Sequence, residues 1–181
     1  MKPWSLVNRE EILDTPWVSL YRDTVRTGEG VLIEGYYTIR QFNVAMVMPI
    51  TEAGNVILVR EYRHGCNDYV WQLPAGKIND GETAMEAARR ELLEETGYEA
   101  DTMKLLGSWY ISSPRMPDKL FTFLAHVHRS QEPKRDITEE MIVREMTMGE
   151  AVEMVLNDEI KDPHSCTAIL WAERGGITNE S

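Results

Sequence analysis

Cysteine is scarce in this chain of 181 residues, which contains only Cys66 and Cys166, a hundred positions apart. Disulfide-stapled domains and zinc fingers need several cysteines at short, regular spacings, so this pair argues against both classes. We therefore expect a protein of a reducing compartment.

Long apolar runs are also missing. Polar and charged residues at positions 8–11 interrupt the N-terminal segment before the apolar core of a signal peptide could form. No later run approaches the length that spans a bilayer. These absences predict a soluble cytoplasmic protein with no membrane partner.

Positive charge is the third shortage. The chain has 19 Lys and Arg residues against 30 Asp and Glu residues, which gives a formal net charge of −11. Binding to a nucleic-acid backbone depends on clustered cations that displace counterions, so nucleic acid is not an expected partner. A small phosphorylated substrate is compatible with this composition if divalent cations and a few arginines reverse the charge locally.

The remaining composition is typical of a globular protein, with 43% apolar and 27% charged residues. Runs of β-branched and aromatic residues predict a hairpin over residues 17–40 and interior strands over 43–50 and 56–63. A loop-rich passage over 64–81 then leads to a helix over 83–96. Later segments predict strands at 103–110, 119–127 and 141–146, and helices at 148–157 and 164–174. Strands with few helices between them favour an α+β sheet covered by helices.

The predicted helix over 83–96 carries two different faces at about 100° per residue. Met85, Ala88 and Leu92 form an apolar stripe suited to a core. A separate sector carries four charged side chains, namely Arg90, Glu91, Glu94 and Glu95. Gly97 follows in the position that usually ends a helix.

Crowded glutamates on one helix face repel each other. The like-charge pair Glu91 and Glu95 is spaced i,i+4, which costs a few tenths of a kcal/mol, about what a Lys partner would gain. A solvated surface is the ordinary interpretation of such a charge run. The alternative is a divalent cation, since carboxylate oxygens suit Mg²⁺ or Mn²⁺.

The segment from Gly76 to Tyr98 resembles the signature of the Nudix hydrolases, G-x5-E-x7-R-E-U-x-E-E-x-G-U, in which U is a bulky apolar residue. Tyr98 is a slightly unusual last U, and every fixed position is matched, by Gly76, Glu82, Arg90, Glu91, Leu92, Glu94, Glu95 and Gly97. The resemblance implies an α/β/α sandwich, with a mixed β-sheet flanked by helices. It also implies an N-terminal antiparallel β extension over residues 1–40, before a Nudix hydrolase domain over residues 41–181.

The same resemblance implies hydrolysis of a nucleoside diphosphate linked to another group, and it implies roles within the motif. Glu91 and Glu95 are expected metal ligands, with Glu94 and the Ala75 carbonyl as further ligands. Glu94 and Arg90 are also expected to serve catalysis, and three residues support the motif structurally, namely Gly76, Glu82 and Gly97. The expected cofactor is Mg²⁺, with Mn²⁺ as the alternative, and more than one ion per site.

Segments outside the motif resemble the ADP-ribose and nucleoside diphosphate sugar pyrophosphatase branch. They are VREYR from Val59 to Arg63, WQLPAGKIND from Trp71 to Asp80, and Pro114, sixteen residues beyond the motif. Taken alone, Pro114 is equally well an ordinary loop proline. Gln72 departs from the resemblance, because relatives often carry Glu there, and this leaves the number of bound ions open.

This branch implies substrate contacts and an assembly. Arg40 and Arg63 are expected to contact phosphate or ribose, because the planar guanidinium suits phosphate oxygens. Pro114 belongs to the expected substrate site, and Tyr37 is a candidate for stacking on the base, as are Tyr36 and Trp17. Aromatic residues in strands also serve as core residues. A homodimer with exchanged N-terminal strands is the expected assembly.

A late loop in this branch supplies a glutamate that positions or deprotonates water. Glu139 and Glu140 are the candidates, and the following strand favours Glu140. His126 and His128 alternate on one strand face, but no carboxylate motif accompanies them, so a surface or structural role is expected.

The predicted function is therefore metal-dependent hydrolysis of ADP-ribose or another nucleoside diphosphate sugar to a nucleoside monophosphate and a sugar phosphate. One alternative keeps the chemistry but takes GDP-mannose, a dinucleoside polyphosphate or an oxidised nucleoside triphosphate as the main substrate. Another is a Nudix module that senses a nucleotide without cutting it. Such a module could lose its carboxylates freely, yet Glu91, Glu94 and Glu95 are all present.

Overall fold

The structure, a computed structural model, describes residues 1–133 and 140–176. Contacts divide the chain into two units. The first unit consists of residues 1–43 and 109–120, and the second of residues 44–108 and 121–181. The predicted boundary between residues 40 and 41 stays a prediction.

A three-stranded antiparallel sheet forms most of the first unit. Its order is β1-β2-β3, with β1 at Ser5–Asp14, β2 at Ser19–Arg26 and β3 at Leu32–Arg40. Strands β2 and β3 are the predicted hairpin. Strand β1 is not predicted by the sequence pattern, since its ten residues are all exposed and lack regular apolar alternation.

A buried ion pair joins these strands. The guanidinium of Arg9 on β1 donates to both carboxylate oxygens of Asp23 on β2, each at 2.7 Å. Thr38 on β3 donates to the same carboxylate at 3.1 Å. Because Asp23 is only 3% exposed, these donors satisfy a charge that water cannot reach.

Most residues of a larger sheet belong to the second unit. Its strand order is β10-β5-β4-β9-β8, to which β6 adds beside β5 and β7 beside β4. Antiparallel pairing joins β5 to both β6 and β10. The strands are β4 (Val44–Thr51), β5 (Asn55–Arg63), β6 (Asp68–Gln72), β7 (Ala75–Lys77), β8 (Tyr98–Tyr110), β9 (Lys119–Arg129) and β10 (Met141–Thr147).

The loop-rich passage predicted over residues 64–81 contains two strands that were not predicted. Strands β6 and β7 lie inside this passage, where β6 pairs with β5 and β7 with β4. Both strands are short, at five and three residues. Strand β6 forms a hairpin with the preceding β5, whereas β7 pairs with β4, from which β5 and β6 separate it in the chain. So few residues give no alternating pattern that would identify a strand.

Three α-helices accompany this sheet in the described ranges 1–133 and 140–176. They are α1 (Ala84–Thr96), α2 (Met148–Leu156) and α3 (Pro163–Trp171), and a π-helical stretch follows at Ala172–Gly176. Each α-helix begins after a capping residue whose side chain accepts a backbone N–H, and these residues are Thr83, Thr147 and Asp162. No helix in the described part of the chain is long and apolar enough to cross a bilayer.

The apolar face of α1 packs on the sheet through small residues. Ala87, Ala88 and Leu92 are fully buried and join a core cluster with Ile57 of β5. The prediction for Met85 is wrong, because its side chain is 40% exposed in the first turn of the helix. Ala87 is buried in the core cluster instead, and α1 contacts both β4 and β7.

Candidate active site

Local sequence signals set both ends of α1 and so orient its glutamates. The Thr83 hydroxyl accepts a hydrogen bond from the Glu86 amide at 3.2 Å, and the Glu86 carboxylate accepts one from the Thr83 amide at 2.8 Å. At the other end, Gly97 has a φ of 76° and donates its N–H to the Leu93 carbonyl at 2.9 Å. This left-handed conformation is why the chain needs glycine there.

The guanidinium of Arg90 connects this helix to the preceding loop. It donates to both carboxylate oxygens of Glu82, at 2.8 and 3.0 Å, and to the Lys77 carbonyl at 3.0 Å. It also donates to Glu91 at 2.7 Å and to Glu94 at 3.2 Å. One side chain therefore holds three carboxylates and a strand end in a single network.

Glu82 is bound on both sides. Besides the fork from Arg90, its carboxylate accepts the Asn79 amide at 3.0 Å. These hydrogen bonds, that of Arg90 first, lower the pKa of Glu82 to about 2. The loop between β7 and α1 is therefore closed by a carboxylate that stays ionised at any physiological pH.

Glu95 is the most buried acid of the motif. Its side chain is 5% exposed, and one carboxylate oxygen accepts the Ala75 amide at 3.3 Å. Burial raises the pKa of Glu95 well above its ordinary value, and the nearby carboxylates of Glu91 and Glu61 raise it further. The Ala75 amide and the positive charge of Arg63 lower the pKa, but the raising effects are larger, so negative charge at this position is unfavourable.

Gly76 on β7 makes room for Glu91. A Cβ atom built at this glycine would lie 2.0 Å from a carboxylate oxygen of Glu91, closer than two such atoms can approach. The absence of a side chain therefore brings the Glu91 carboxylate against the backbone next to Ala75, where Glu95 also lies. The structure thus gathers Ala75, Gly76, Glu91 and Glu95 in one place.

The donor set fits a divalent cation chemically. Its oxygen ligands are of the kind that Mg²⁺ and Mn²⁺ prefer, and a nearby cation would stabilise the ionised form of Glu95 and so lower its raised pKa. Within the described ranges, however, no three Asp, Glu, His or Cys side chains already converge on one point. The reason is that the carboxylates of Glu91 and Glu94 are turned towards Arg90.

Glu61 is a member of this acidic group that the sequence analysis missed. It lies on β5, is 17% exposed on its side chain, and holds Arg63 at 3.1 Å. Glu61 and Arg63 are spaced i,i+2 on one strand, so their side chains point to the same face. The i,i+2 spacing within VREYR indicates that Glu61 shares a face with the predicted substrate residue Arg63. Only the fold shows that Glu61 also lies near Glu95.

Gln72 and Arg63 form a second connection beside the acidic group. Nε of Arg63 donates to the amide oxygen of Gln72 at 3.2 Å, which leaves the amide nitrogen as a donor. Gln72 is 7% exposed, and within residues 1–133 and 140–176 this nitrogen has no hydrogen-bond partner. Where relatives often carry a glutamate, this chain therefore has the buried amide of Gln72, beside the predicted substrate residue Arg63.

Several predicted substrate residues lie in the first unit. Arg40 and Pro114 line a cavity of about 380 Å³ together with Tyr36, whose hydroxyl donates to the Pro114 carbonyl. The guanidinium of Arg115 lies 4.5 Å from the centre of the Tyr36 ring and donates to the Tyr37 carbonyl. The cavity is basic and aromatic, and the ring of Tyr37 does not line it.

Other predicted positions lie at exposed sites. Trp17 is 71% exposed, and His128 binds Asp101 at 2.9 Å on the surface. Glu140 is an exposed residue directly before β10, whose first residue, Met141, pairs with Glu61. This register brings the backbone of Glu140 close to the acidic group. Its rival Glu139 lies outside the described residues.

The sequence and the structure of this chain are both similar to those of known proteins. A family model, the NUDIX domain, matches residues 40–165, well over half of the chain. The chain therefore belongs to the NUDIX family.

Two relatives and one solved structure illustrate the relationship. The chain is 27% identical to an ADP-ribose pyrophosphatase of Bacillus subtilis (strain 168), over 92% of this chain and 91% of the relative. It is 25% identical to a GDP-mannose pyrophosphatase of Yersinia enterocolitica, over 93% and 95%. The crystal structure of an ADP compounds hydrolase matches with a TM-score of 0.81 at 20% identity, covering 96% of this chain and 94% of that one. This match confirms the predicted Nudix fold.

Proposed function

We propose that this chain is a divalent-metal-dependent Nudix pyrophosphatase that hydrolyses ADP-ribose or another nucleoside diphosphate sugar. The products would be a nucleoside monophosphate and a sugar phosphate. The observation that carries the proposal is the buried Glu95 carboxyl, which lies against Ala75 and beside two further carboxylates, Glu91 and Glu61. The similarity to an ADP-ribose pyrophosphatase over nearly the whole chain supports the choice of substrate class.

Glu91 and Glu95 would hold the cation, with Glu94 and the Ala75 carbonyl as further ligands. We propose Mg²⁺, with Mn²⁺ as an alternative, and more than one ion per site. When bound, such ions neutralise the diphosphate and lower the pKa of water. Arg90 acts as a positioning residue, because its fork holds the carboxylates of Glu91 and Glu94 relative to the loop.

Hydrolysis adds water across the P–O–P bridge. The water oxygen bonds to one phosphorus, the bridging oxygen leaves with the other phosphate, and the water loses a proton. We propose that Glu140 accepts this proton, since its backbone lies next to the strand position opposite Glu61. Arg40, Arg63, Tyr37 and Pro114 are the proposed substrate contacts.

The assembly we propose is a homodimer of a cytoplasmic protein. Strand β1 pairs with β2 along one edge, and within the described residues no strand occupies its other edge. Several of its apolar side chains are exposed, including Leu6, Val7, Ile12 and Leu13. An open strand edge with exposed apolar side chains suits pairing with a second copy of the chain. Light scattering tests this, and a monomer at micromolar concentration would contradict it.

A hydrolysis panel tests the proposed activity. ADP-ribose, GDP-mannose, UDP-glucose and diadenosine polyphosphates are incubated with the protein, with and without Mg²⁺, and the products are separated. We expect a nucleoside monophosphate from a nucleoside diphosphate sugar, only when Mg²⁺ is present. Release of pyrophosphate from a nucleoside triphosphate as the preferred reaction would contradict the proposal, as would binding without turnover.

GDP-mannose is the second candidate substrate. The Yersinia enterocolitica relative is named for it and covers this chain almost completely. The same panel separates the two candidates by their kcat/KM values.

A further inference from the structure

A cavity of about 460 Å³ lies in the second unit, between β6 and the segment that precedes α3. This volume falls in the range of small-molecule binding sites. Strand β6 contributes Asp68, Val70 and Gln72, and the α3 side contributes Lys161 and Asp162 with the neighbouring Pro163. None of the roles proposed above involves this cavity except through Arg63, which also lines it.

The strand register places the cavity next to the acidic group. Asp68 pairs with Arg63, and Val70 pairs with Glu61. Side chains that face each other across paired strands lie on the same side of the sheet. The β6 side chains of the cavity therefore share a sheet face with Glu61, whose carboxylate contributes to the raised pKa of Glu95.

The cavity walls are balanced in charge. Arg63 and Lys161 supply two cations, and Asp68 and Asp162 supply two anions. Lys161 lies 3.3 Å from Asp68, and Asp162 is occupied in capping α3 through Ser165. A phosphate group inside the cavity would be repelled by the carboxylates of Asp68 and Asp162. The cavity therefore suits a neutral ligand better than an anion.

The side chains that line the cavity favour one kind of neutral ligand over others. Among the residues that the structure describes, no aromatic ring lines the cavity, so a planar base would have no stacking partner there. Val70 and Pro163 supply an apolar surface for C–H groups, while Lys161 donates and Asp68 accepts hydrogen bonds. Alternating hydroxyl and C–H groups are characteristic of a sugar ring.

We propose that this cavity binds the sugar of the substrate, the group linked to the second phosphate, and that Val70 and Lys161 determine the preference for a sugar there. This inference rests on the proposed pyrophosphatase function. The nucleoside would then lie elsewhere, and a substrate with a second nucleoside in place of the sugar would fit poorly.

The experiment compares three substrates that share ADP and differ in the group on the second phosphate. They are ADP-ribose, the methyl ester of ADP and diadenosine diphosphate. The measured quantity is the ratio of kcat/KM for ADP-ribose to that for the methyl ester. Two variants are compared with the wild type: Val70→Phe, which narrows the cavity, and Lys161→Ala, which removes one donor. Lys104→Ala, an exposed lysine on β8, is the matched control.

We expect the ratio to fall about tenfold or more in Val70→Phe, because a ring would occupy the space of the sugar. In Lys161→Ala, the loss of one hydrogen bond should lower it about fivefold. Lys104→Ala should keep the wild-type ratio. Melting temperatures show whether each variant folds. If Val70→Phe does not fold, Lys161→Ala still tests the proposal, because the Lys161 side chain is 55% exposed and its loss should not disturb the fold.

The failures are distinguishable. A wild type that cleaves neither the methyl ester nor either candidate sugar nucleotide, ADP-ribose or GDP-mannose, contradicts the pyrophosphatase function, and the inference fails with it. A wild type that cleaves both, with ratios unchanged in Val70→Phe and Lys161→Ala, overturns the sugar site alone. A wild type that prefers diadenosine diphosphate to ADP-ribose overturns it as well.

Discussion

Arg90 and Glu82 form a two-bond fork, with Nε and Nη2 of the arginine at 2.8 and 3.0 Å from the two carboxylate oxygens. Glu82 lies just before helix α1 and Arg90 in its middle, so the fork fastens the loop to the helix. Bidentate pairs of this kind are among the stronger polar contacts in proteins.

Glu82→Gln should lower stability in a manner that depends on pH. The folded pKa of Glu82 is about 2, below the ordinary value of 4.5. Its carboxylate therefore contributes its full stabilisation above about pH 4.5, and this contribution is lost as the pH falls towards 2. Urea unfolding at several pH values measures the difference between wild type and variant, which should shrink from pH 6 to pH 3. Glu52→Gln, at an exposed position, is the control, and a difference that does not change with pH would contradict the assignment.

Gly76→Ala should reduce turnover about a hundredfold, because Glu91 is a proposed metal ligand and a displacement of about 1 Å in an active site can cost that much. The added methyl group would lie 2.0 Å from a carboxylate oxygen of Glu91 and force it away from β7. Gly65→Ala is a matched control, since a methyl group there meets no atom within 4 Å. Steady-state kinetics at saturating Mg²⁺ make the comparison, and equal rates for the two variants would reject the close approach.

Glu95→Gln should raise the melting temperature of the metal-free protein at pH 8 while removing most of the activity. The pKa of this carboxyl is raised on folding, so its ionised form destabilises the fold above the ordinary carboxyl pKa. The glutamine is neutral and keeps an oxygen that can accept the Ala75 amide. Because the proposed cation ligand would be lost, turnover should fall about a hundredfold or more.

Thermal unfolding in EDTA and in Mg²⁺ separates the two effects of Glu95→Gln. Mg²⁺ should stabilise the wild type more than the variant. Full activity in the variant would exclude Glu95 as a metal ligand. A lower melting temperature in EDTA would contradict the electrostatic account.

Asp23→Asn should lower the free energy of unfolding by about 2 kcal/mol, the typical scale for hydrogen bonds to a charged group. The hydrogen bond from Arg9 holds the pKa of Asp23 below its ordinary value of 3.8. The contribution should therefore be present above about pH 4 and be lost as the pH falls further. Arg22→Ala breaks an exposed ion pair with Glu10 and should change stability by less than about 0.5 kcal/mol in urea unfolding. Equal losses of unfolding free energy in Asp23→Asn and Arg22→Ala would contradict the idea that burial makes the Arg9–Asp23 pair the stronger one.

Elements with local signals were predictable from the sequence. Helix α1 follows the capping residue Thr83 and ends before Gly97, as its predicted range of 83–96 requires. Strand β1 was not predictable, because its exposed residues become a strand only through pairing with β2. Strands β6 and β7 were missed because they contain only five and three residues.

Residues of the candidate site were likewise predictable only where their signal is local in the sequence. The motif named Glu91 and Glu95 because their spacing on one helix is visible in the sequence. Glu61 was missed, since its nearness to Glu95 depends on how β5 packs beside the helix. The cavity formed by Val70 and Lys161 was invisible too, because it joins segments about ninety positions apart.

The direction of helix α1 has a kinetic consequence. Its backbone dipole places partial negative charge at the C-terminal end, where Glu94 and Glu95 lie and where the last turn carries no basic residue. The helix end and its side chains therefore create a negative potential that attracts cations and repels the diphosphate. Binding should be ordered, with the cation arriving before or together with the substrate, so that the apparent KM for substrate falls as the Mg²⁺ concentration rises.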